Sequence, residues 1–328
     1  MKSKYVTFSK NIFVPVTNVC RNACDYCVYR ARSPADAYLV RVDPFLTLVT
    51  TKSEATEALF TAGEKPELAN QEFVKWLRDA TGCSTLVEYT KELCKLAIRH
   101  GLLPHCNLGV LNTEELKQLR DVNASMGLML ETTAELSVHK NSPGKVPEAR
   151  LKMIAEAGKL KIPFTTGLLI GIGENPEDRI QSLEAIKSLH EHYGHIQEVI
   201  IQPFVPKQYT AMEKHDQPSF AVFKDVVRVA RAILPAEITI QVPPNLTAPR
   251  DLIELGASDL GGISEKTIDY INPESPWPSE EELKRVVAPF VLRERLPIYP
   301  EFISKGWYSE EIRPLIERYA DEDGLRRL

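Results

Sequence analysis

No stretch of this 328-residue sequence approaches the roughly 20 consecutive apolar residues that a membrane-spanning helix needs. The opening "MKSKYVTFSK" lacks an apolar h-region, so no secretory signal is expected. Excess positive charge is missing as well. A formal net charge of -5 leaves no electrostatic footprint for nucleic acid. Cysteine is scarce: six in the whole chain are too few for a disulfide framework and point to a reducing compartment, the cytoplasm. What remains is a chain of 43% hydrophobic residues, enough for a substantial core. Its length suits one large α/β barrel or two smaller domains.

The cysteines are unevenly spread. "VTNVCRNACDYCVYR" puts Cys20, Cys24 and Cys27 within eight residues, and no fourth Cys or His follows at a usual spacing. Buried free cysteine behaves as a small hydrophobe, a reading that suits the scattered Cys83, Cys94 and Cys106. It suits the triplet poorly, because Arg21, Asn22 and Asp25 make that segment polar and loop-like. Structural zinc closes four ligands, and electron-carrier ferredoxins also supply a fourth thiolate. Three thiolates on a four-iron cluster leave one iron open to another ligand.

Apolar, β-rich runs recur along the chain: "IFVPV", "EALFT", "LPHCNLGVL", "MGLMLET", "FTTGLLIGI", "EVIIQPF" and "ITIQV". Amphipathic stretches separate most of them, the pattern of a parallel sheet with crossover helices. Pro147 opens one helix, with Gly158 placed to close it. Asn175 caps the next, whose Ile180, Leu183, Ile186 and Leu189 face the sheet, and Gly194 ends it. Six or seven such units predict a full or partial (β/α) barrel over residues 5–243, with chemistry at the strands' C-terminal ends. The residues leaving those ends include Ala62-Gly63-Glu64, Asn107, Glu131-Thr132-Thr133, Gly171 to Glu174, and Gln202-Pro203-Phe204. Beyond Pro243 the proline-rich "VPPNLTAPRD", "NPESPWPSEE" and "LPIYPEF" break the rhythm. Residues 244–328 are therefore expected to form an extension packed on the barrel. Two further signals carry no site. "GLLIGIGENP" lacks the third glycine of a dinucleotide fingerprint, and His190, His192 and His195 read as a solvated helix end.

C-x3-C-x2-C after a strand, with Tyr26 just before the last cysteine, resembles the signature of the radical S-adenosylmethionine (SAM) superfamily. The resemblance implies one [4Fe-4S] cluster on Cys20, Cys24 and Cys27. Its open iron chelates SAM, and an electron from an external one-electron reductant cleaves SAM to methionine and a 5′-deoxyadenosyl radical. Gly63-Glu64 resembles the superfamily's Gly-Gly-Glu turn, whose backbone receives the SAM amino group, although Ala62 stands where the first glycine is usual. By the same resemblance Arg150 pairs with the methionine carboxylate and Glu131 holds the ribose.

A narrower resemblance covers most of the chain. The segment from Glu131 to Arg179, with "EALFTAGEKPE", "IIQPFVPK" and "ASDLGGIS", is similar to the small subunit of 7,8-didemethyl-8-hydroxy-5-deazariboflavin synthases. That family implies a tyrosine-derived ribityl-aminouracil adduct as substrate, a partner radical SAM subunit that supplies it, ring closure and loss of ammonia. One departure is "FLTLVTTKSEATEA", which leaves room for only a short first crossover helix. The alternatives are the partner subunit itself, a futalosine-pathway enzyme of menaquinone synthesis, or a non-catalytic iron–sulfur carrier.

Overall fold

The computed structural model describes residues 5–50 and 54–327. Among these residues nine strands follow in order: β1 (Tyr5–Thr17), β2 (Glu57–Ala62), β3 (Leu103–Asn107), β4 (Ser125–Gly127), β5 (Phe164–Ile170), β6 (Ile196–Pro203), β7 (Thr239–Gln241), β8 (Asp259–Ile263) and β9 (Val291–Glu294). The order is β2-β3-β4-β5-β6-β7-β8-β1-β9, and β1 also pairs with β2. That extra pairing closes eight parallel strands into a complete barrel. β1 is long enough to meet β2 through Asn11–Thr17, β8 through Thr7–Lys10, and β9 through Tyr5–Phe8. Helices on one face and the enclosed lumen on the other explain why β5 is buried at every position.

The eighth strand corrects the expected count of six or seven. It also lies within 244–328, the segment expected to be an extension, so the barrel runs past Pro243. Its sequence, Asp-Leu-Gly-Gly-Ile, carries two glycines and an acid, and so gives no apolar run to detect.

The crossover helices follow their caps. The first is short, Val42–Thr50. Asn175 caps the helix Pro176–Tyr193 in a reciprocal box with Asp178, and Gly194 closes it at φ 64°. Leu183 and Ile186 are buried, but Ile180 is 44% exposed, contrary to expectation. Two residues on, the buried Ser182 takes the inward face and receives the Thr133 N–H at 2.9 Å, so Ile180 points away. Gly158 lies inside the helix Pro147–Lys159 rather than closing it, because a Cβ there would meet Tyr193 Cβ at 2.6 Å. The "solvated" histidines are corrected too: His190 and His195 are buried, the latter against the rings of Phe164 and Tyr193.

The chain beyond β9 seals the barrel's bottom. Leu296, Ile298, Phe302, Ile312 and Ile316 form a cluster with Leu103 and Ala124, at the N-terminal ends of β3 and β4. Pro297 O accepts hydrogen bonds from Ser125 Oγ at 2.7 Å and Gln197 Nε2 at 3.0 Å. That segment covers the lower ends of the strands, and the lumen lies above it, toward the rim where the strands end.

Candidate active site

The segment after β1 has no regular structure except Pro34–Asp36, yet it is firmly tied. Arg21 N donates to Glu64 O at 2.9 Å, Ala23 N to Asn141 O at 3.0 Å, and Asp25 N to Val138 O at 3.1 Å. These bonds lace the cysteine loop to the loops that follow β2 and β4. Cys20 Sγ accepts the Glu64 and Asn22 amides at 3.2 and 3.4 Å, and Cys24 Sγ accepts Ser142 Oγ at 3.3 Å. The Tyr29 and Arg30 amides face Cys27. Sulfur in a thiol is a weak acceptor, so converging amides suit charged, cluster-bound sulfur better. As free thiols Cys20 and Cys27 hold their protons: burial pushes Cys20 up to about 11 and raises Cys27 as well.

Among the described residues no trio of His, Cys, Asp or Glu is gathered tightly enough for a single metal ion. A four-iron cluster is wider than an ion and places each thiolate on a different iron. Three sulfurs on one loop, each met by an N–H or O–H donor, fit such a cluster. The other three cysteines stand apart: Cys83, Cys94 and Cys106 are buried, with the Cys94 and Cys106 sulfurs 3.6 Å from each other.

Glu64 ties the loops together. Its buried carboxylate accepts Arg21 Nε at 2.8 Å, Arg21 Nη2 at 2.7 Å and the Val110 amide at 3.0 Å. Arg150 Nη2 stands 3.8 Å away. Gly63 is required beside it, since a Cβ there would lie 2.1 Å from Val19 O. The Gly63 amide donates to Thr17 O at 2.7 Å, so part of the expected turn's backbone is spent within the protein.

A second charged group gathers around Glu131, which adopts φ 70° just past β4. Its carboxylate accepts the Tyr26 hydroxyl at 2.8 Å and the Lys145 ammonium. Burial opposes ionisation here, but Lys145 and Arg150 outweigh it and bring the group down to about 2. The Tyr26 hydroxyl also meets His139 Nε2 at 2.9 Å. Burial and the Glu131 carboxylate together hold that phenol well above its usual range. Arg150 is buried rather than solvent-facing, donating to Gly144 O at 2.9 Å and to Met129 O. Lys145 and His139 were not singled out in the sequence, because they end two three-residue 3-10 turns whose only signal is their position before Arg150.

Cys20, Cys24, Cys27, Tyr26, Gly63, Glu64, Glu131 and Arg150 all line one cavity of about 390 Å³. That lies within the roughly 300–1,000 Å³ usual for small-molecule sites. Asn107, Gln202, Pro203 and Phe204 line it too. Gly171 to Glu174 do not: the Glu174 carboxylate folds back onto the Gly171 and Ile172 amides, both at 2.8 Å, and onto Arg179. Downward, the cavity reaches Asn11, Glu57, His105 and Arg295 at the barrel floor. None of these floor residues stood out in the sequence, since no local motif or spacing marks them and only the closed barrel brings them together.

Comparison with known proteins agrees with this geometry. Residues 14–186 match the model of the radical SAM superfamily. A 7,8-didemethyl-8-hydroxy-5-deazariboflavin synthase of Methanosarcina barkeri is 54% identical over 98% of this chain and 99% of its own length. The enzyme of that name from Archaeoglobus fulgidus is 50% identical over 99% of both chains. Among solved structures, the [FeFe]-hydrogenase maturase HydG shares the fold with a TM-score of 0.72. It is 17% identical, and the match covers 95% of this chain and 68% of that one. Methylornithine synthase (PylB) matches with a TM-score of 0.62 and 17% identity, over 96% of this chain and 81% of that one.

Proposed function

We propose a specific reaction for this chain, which belongs to the radical SAM superfamily and, within it, to the 7,8-didemethyl-8-hydroxy-5-deazariboflavin synthase family. The chain is an enzyme, and its superfamily works with a [4Fe-4S] cluster and SAM. The reaction is conversion of the 5-amino-5-(4-hydroxybenzyl)-6-(D-ribitylimino)-5,6-dihydrouracil adduct to the deazariboflavin, with release of ammonia. A partner radical SAM subunit makes that adduct from tyrosine and the aminouracil. No helix among the described residues is long and apolar enough to cross a membrane. The six free cysteines favour the reducing cytoplasm.

The observation that carries the reading is the single cavity in which the cysteine loop, Glu64, Glu131 and Arg150 meet above a deep polar lumen. Bound there, the cluster and SAM would supply radical chemistry, a 5′-deoxyadenosyl radical for hydrogen abstraction from the substrate. The protein's own groups do the positioning. Cys20, Cys24 and Cys27 would hold the cluster, with backbone amides aimed at the sulfurs of Cys20 and Cys27 and the Ser142 hydroxyl at that of Cys24. Arg150 offers a guanidinium to a carboxylate, and Glu131 stays ionised to accept hydroxyl protons. The closed barrel bottom keeps water from the lumen while substrate and radical meet. One cluster motif supports one radical-generating site, which fits one half of a two-stage synthesis.

The test is anaerobic incubation of cluster-loaded protein with the adduct, SAM and a one-electron reductant. A fluorescent product should appear together with 5′-deoxyadenosine, methionine and ammonia. Product formed from tyrosine and the aminouracil with no partner present overturns the subunit assignment. SAM cleavage with the adduct untouched moves the chain to the partner or futalosine-type reading, and a cluster spectrum indifferent to SAM moves it to an electron carrier.

A further inference from the structure

Barrel interiors are ordinarily filled by layers of bulky branched side chains. The lower lumen of this one is instead polar. Ser9 and Asn11 of β1, Glu57 of β2, His105 of β3 and Gln241 of β7 line the cavity there, above Arg295. Most of these groups have partners within the protein. Ser9 Oγ donates to Glu57 Oε2 at 2.7 Å, and His105 Nδ1 shares a 2.7 Å hydrogen bond with Ser125 Oγ. Arg295 donates to Asp259 through Nε at 2.7 Å and Nη2 at 3.0 Å.

Asn11 is the exception. Only 2% of it is exposed, yet neither its amide nitrogen nor its oxygen has a hydrogen-bond partner. A buried carboxamide left bare is costly, and such a group in a native fold calls for an explanation. The surroundings are shaped to keep it in place. A Cβ at Gly262 of β8 would sit 2.1 Å from Asn11 Nδ2, so glycine there makes room for the amide. Its register partner across the β1–β2 pair is Glu57, a second polar group on the same wall.

The substrate of the proposed reaction has one part that suits this place. Its benzyl group, its amine, its uracil carbons and the imino nitrogen that closes onto the phenol ring all change bonding, so they belong near the rim where the cysteines lie. Beyond that nitrogen the ribityl arm makes and breaks no bonds. It is slim and flexible, and each of its hydroxyls both donates and accepts, as a carboxamide does. Resting on that reading of the reaction, we propose that the lower lumen is a polyol subsite in which Asn11, flanked by Glu57 and His105, binds the ribityl hydroxyls.

The experiment uses cluster-loaded protein without SAM, so nothing turns over. Two fluorescent probes are titrated: the deazariboflavin product, and its analogue carrying methyl in place of ribityl. Wild type should bind the methyl analogue at least about tenfold more weakly, the order expected from losing a few hydrogen bonds. Asn11→Leu should lose most of its affinity for the product, hold the methyl analogue as wild type does, and so cease to discriminate. Equal binding of both probes by wild type overturns the subsite, and that comparison needs no variant to fold. Discrimination that survives in Asn11→Leu and in Asn11→Ser removes Asn11 from it. If wild type binds neither probe, the deazariboflavin reading fails and the subsite falls with it, whereas equal binding leaves that reading standing.

Discussion

Gly144→Ala adds one methyl group at the point where the loops of the site meet. The Gly144 amide donates to Asn22 Oδ1 at 2.8 Å, and its carbonyl accepts Arg150 Nε at 2.9 Å. A Cβ built on that backbone lies 1.6 Å from Glu64 Oε1 and 2.3 Å from Glu64 Cδ. Neither side can retreat far. The backbone is pinned by those two hydrogen bonds, and across the carboxylate stands Gly109, where a Cβ would lie 2.4 Å from Glu64 Cγ. The methyl group must therefore drive the carboxylate out of its place between two glycines.

Displacement separates a buried carboxylate from Arg21 and from the Val110 amide. Breaking a buried pair costs about 3–5 kcal/mol. Arg21 has 21% of its side chain exposed, so water offsets part of the loss. A destabilisation of about 3 kcal/mol is expected, read by anaerobic urea unfolding of cluster-loaded protein. Because the Glu64 amide also supports Cys20 Sγ, iron retention should fall in the same variant. The decisive measurement is a cycle with Glu64→Ala. Once the carboxylate is gone the methyl has room, so the double variant should cost little more than Glu64→Ala alone. Additive losses, or a Gly144→Ala protein within about 0.5 kcal/mol of wild type, would refute the reasoning.

Alanine at Cys20, Cys24 or Cys27 should abolish the cluster's visible absorbance and SAM cleavage, while alanine at Cys83, Cys94 or Cys106 should leave iron content intact; wild-type iron in a triplet variant contradicts the assignment. Arg150→Met should keep its cluster and weaken SAM binding by about 1.5–3 kcal/mol, the range for a hydrogen bond to a charged group; unchanged SAM titration places the carboxylate's partner elsewhere. Glu198 of β6 is buried, with Arg295 Nη2 3.1 Å from its carboxylate; burial outweighs that cation and raises it to about 7 from 4.5, so between those values the folded chain holds a proton that the unfolded chain releases. Its contribution therefore favours folding below 4.5 and is lost as pH rises through about 7, and Glu198→Gln should flatten the stability curve over that window; an unaltered slope assigns the proton to another group.

The sequence spoke most clearly where a residue type has one physical use. Three cysteines in a polar loop, Asn175 with Asp178 at a helix start, and Gly194 at its end are each fixed by local chemistry, and the structure places them accordingly. Seven strands were visible as apolar runs. The eighth was not, because Asp259 faces Arg295 at the barrel floor and Gly261 and Gly262 yield space to Gln241 and Asn11. Tertiary contacts of that kind leave no periodic trace in a sequence. The buried His195 was misread for the same reason: it enters the interior just as the helix ends and β6 begins, against Phe164 of a neighbouring strand. Glu64 was legible as part of a turn, but its role as the hub for Arg21 and Val110 depends on loops 40 and more residues away.

What the floor does for the substrate can be set against what it does for the fold. A buried ion pair such as Arg295 with Asp259 offers little net stability over well-packed apolar residues, and a bare carboxamide is worse. Selection for stability alone would fill the position of Asn11 with an aliphatic side chain of similar volume. Leucine there removes two unsatisfied polar atoms and adds apolar burial beside Phe13 and Leu260, which line the same lumen. Asn11→Leu is accordingly expected to be more stable than wild type, by about 1–2 kcal/mol in urea unfolding, the size of one relieved polar burial. Loss of product binding with a gain in stability is the signature of a residue kept for its ligand. If Asn11→Leu is instead less stable than wild type, the amide has a structural partner, an ordered water included, and its role in the fold rather than in the site explains it.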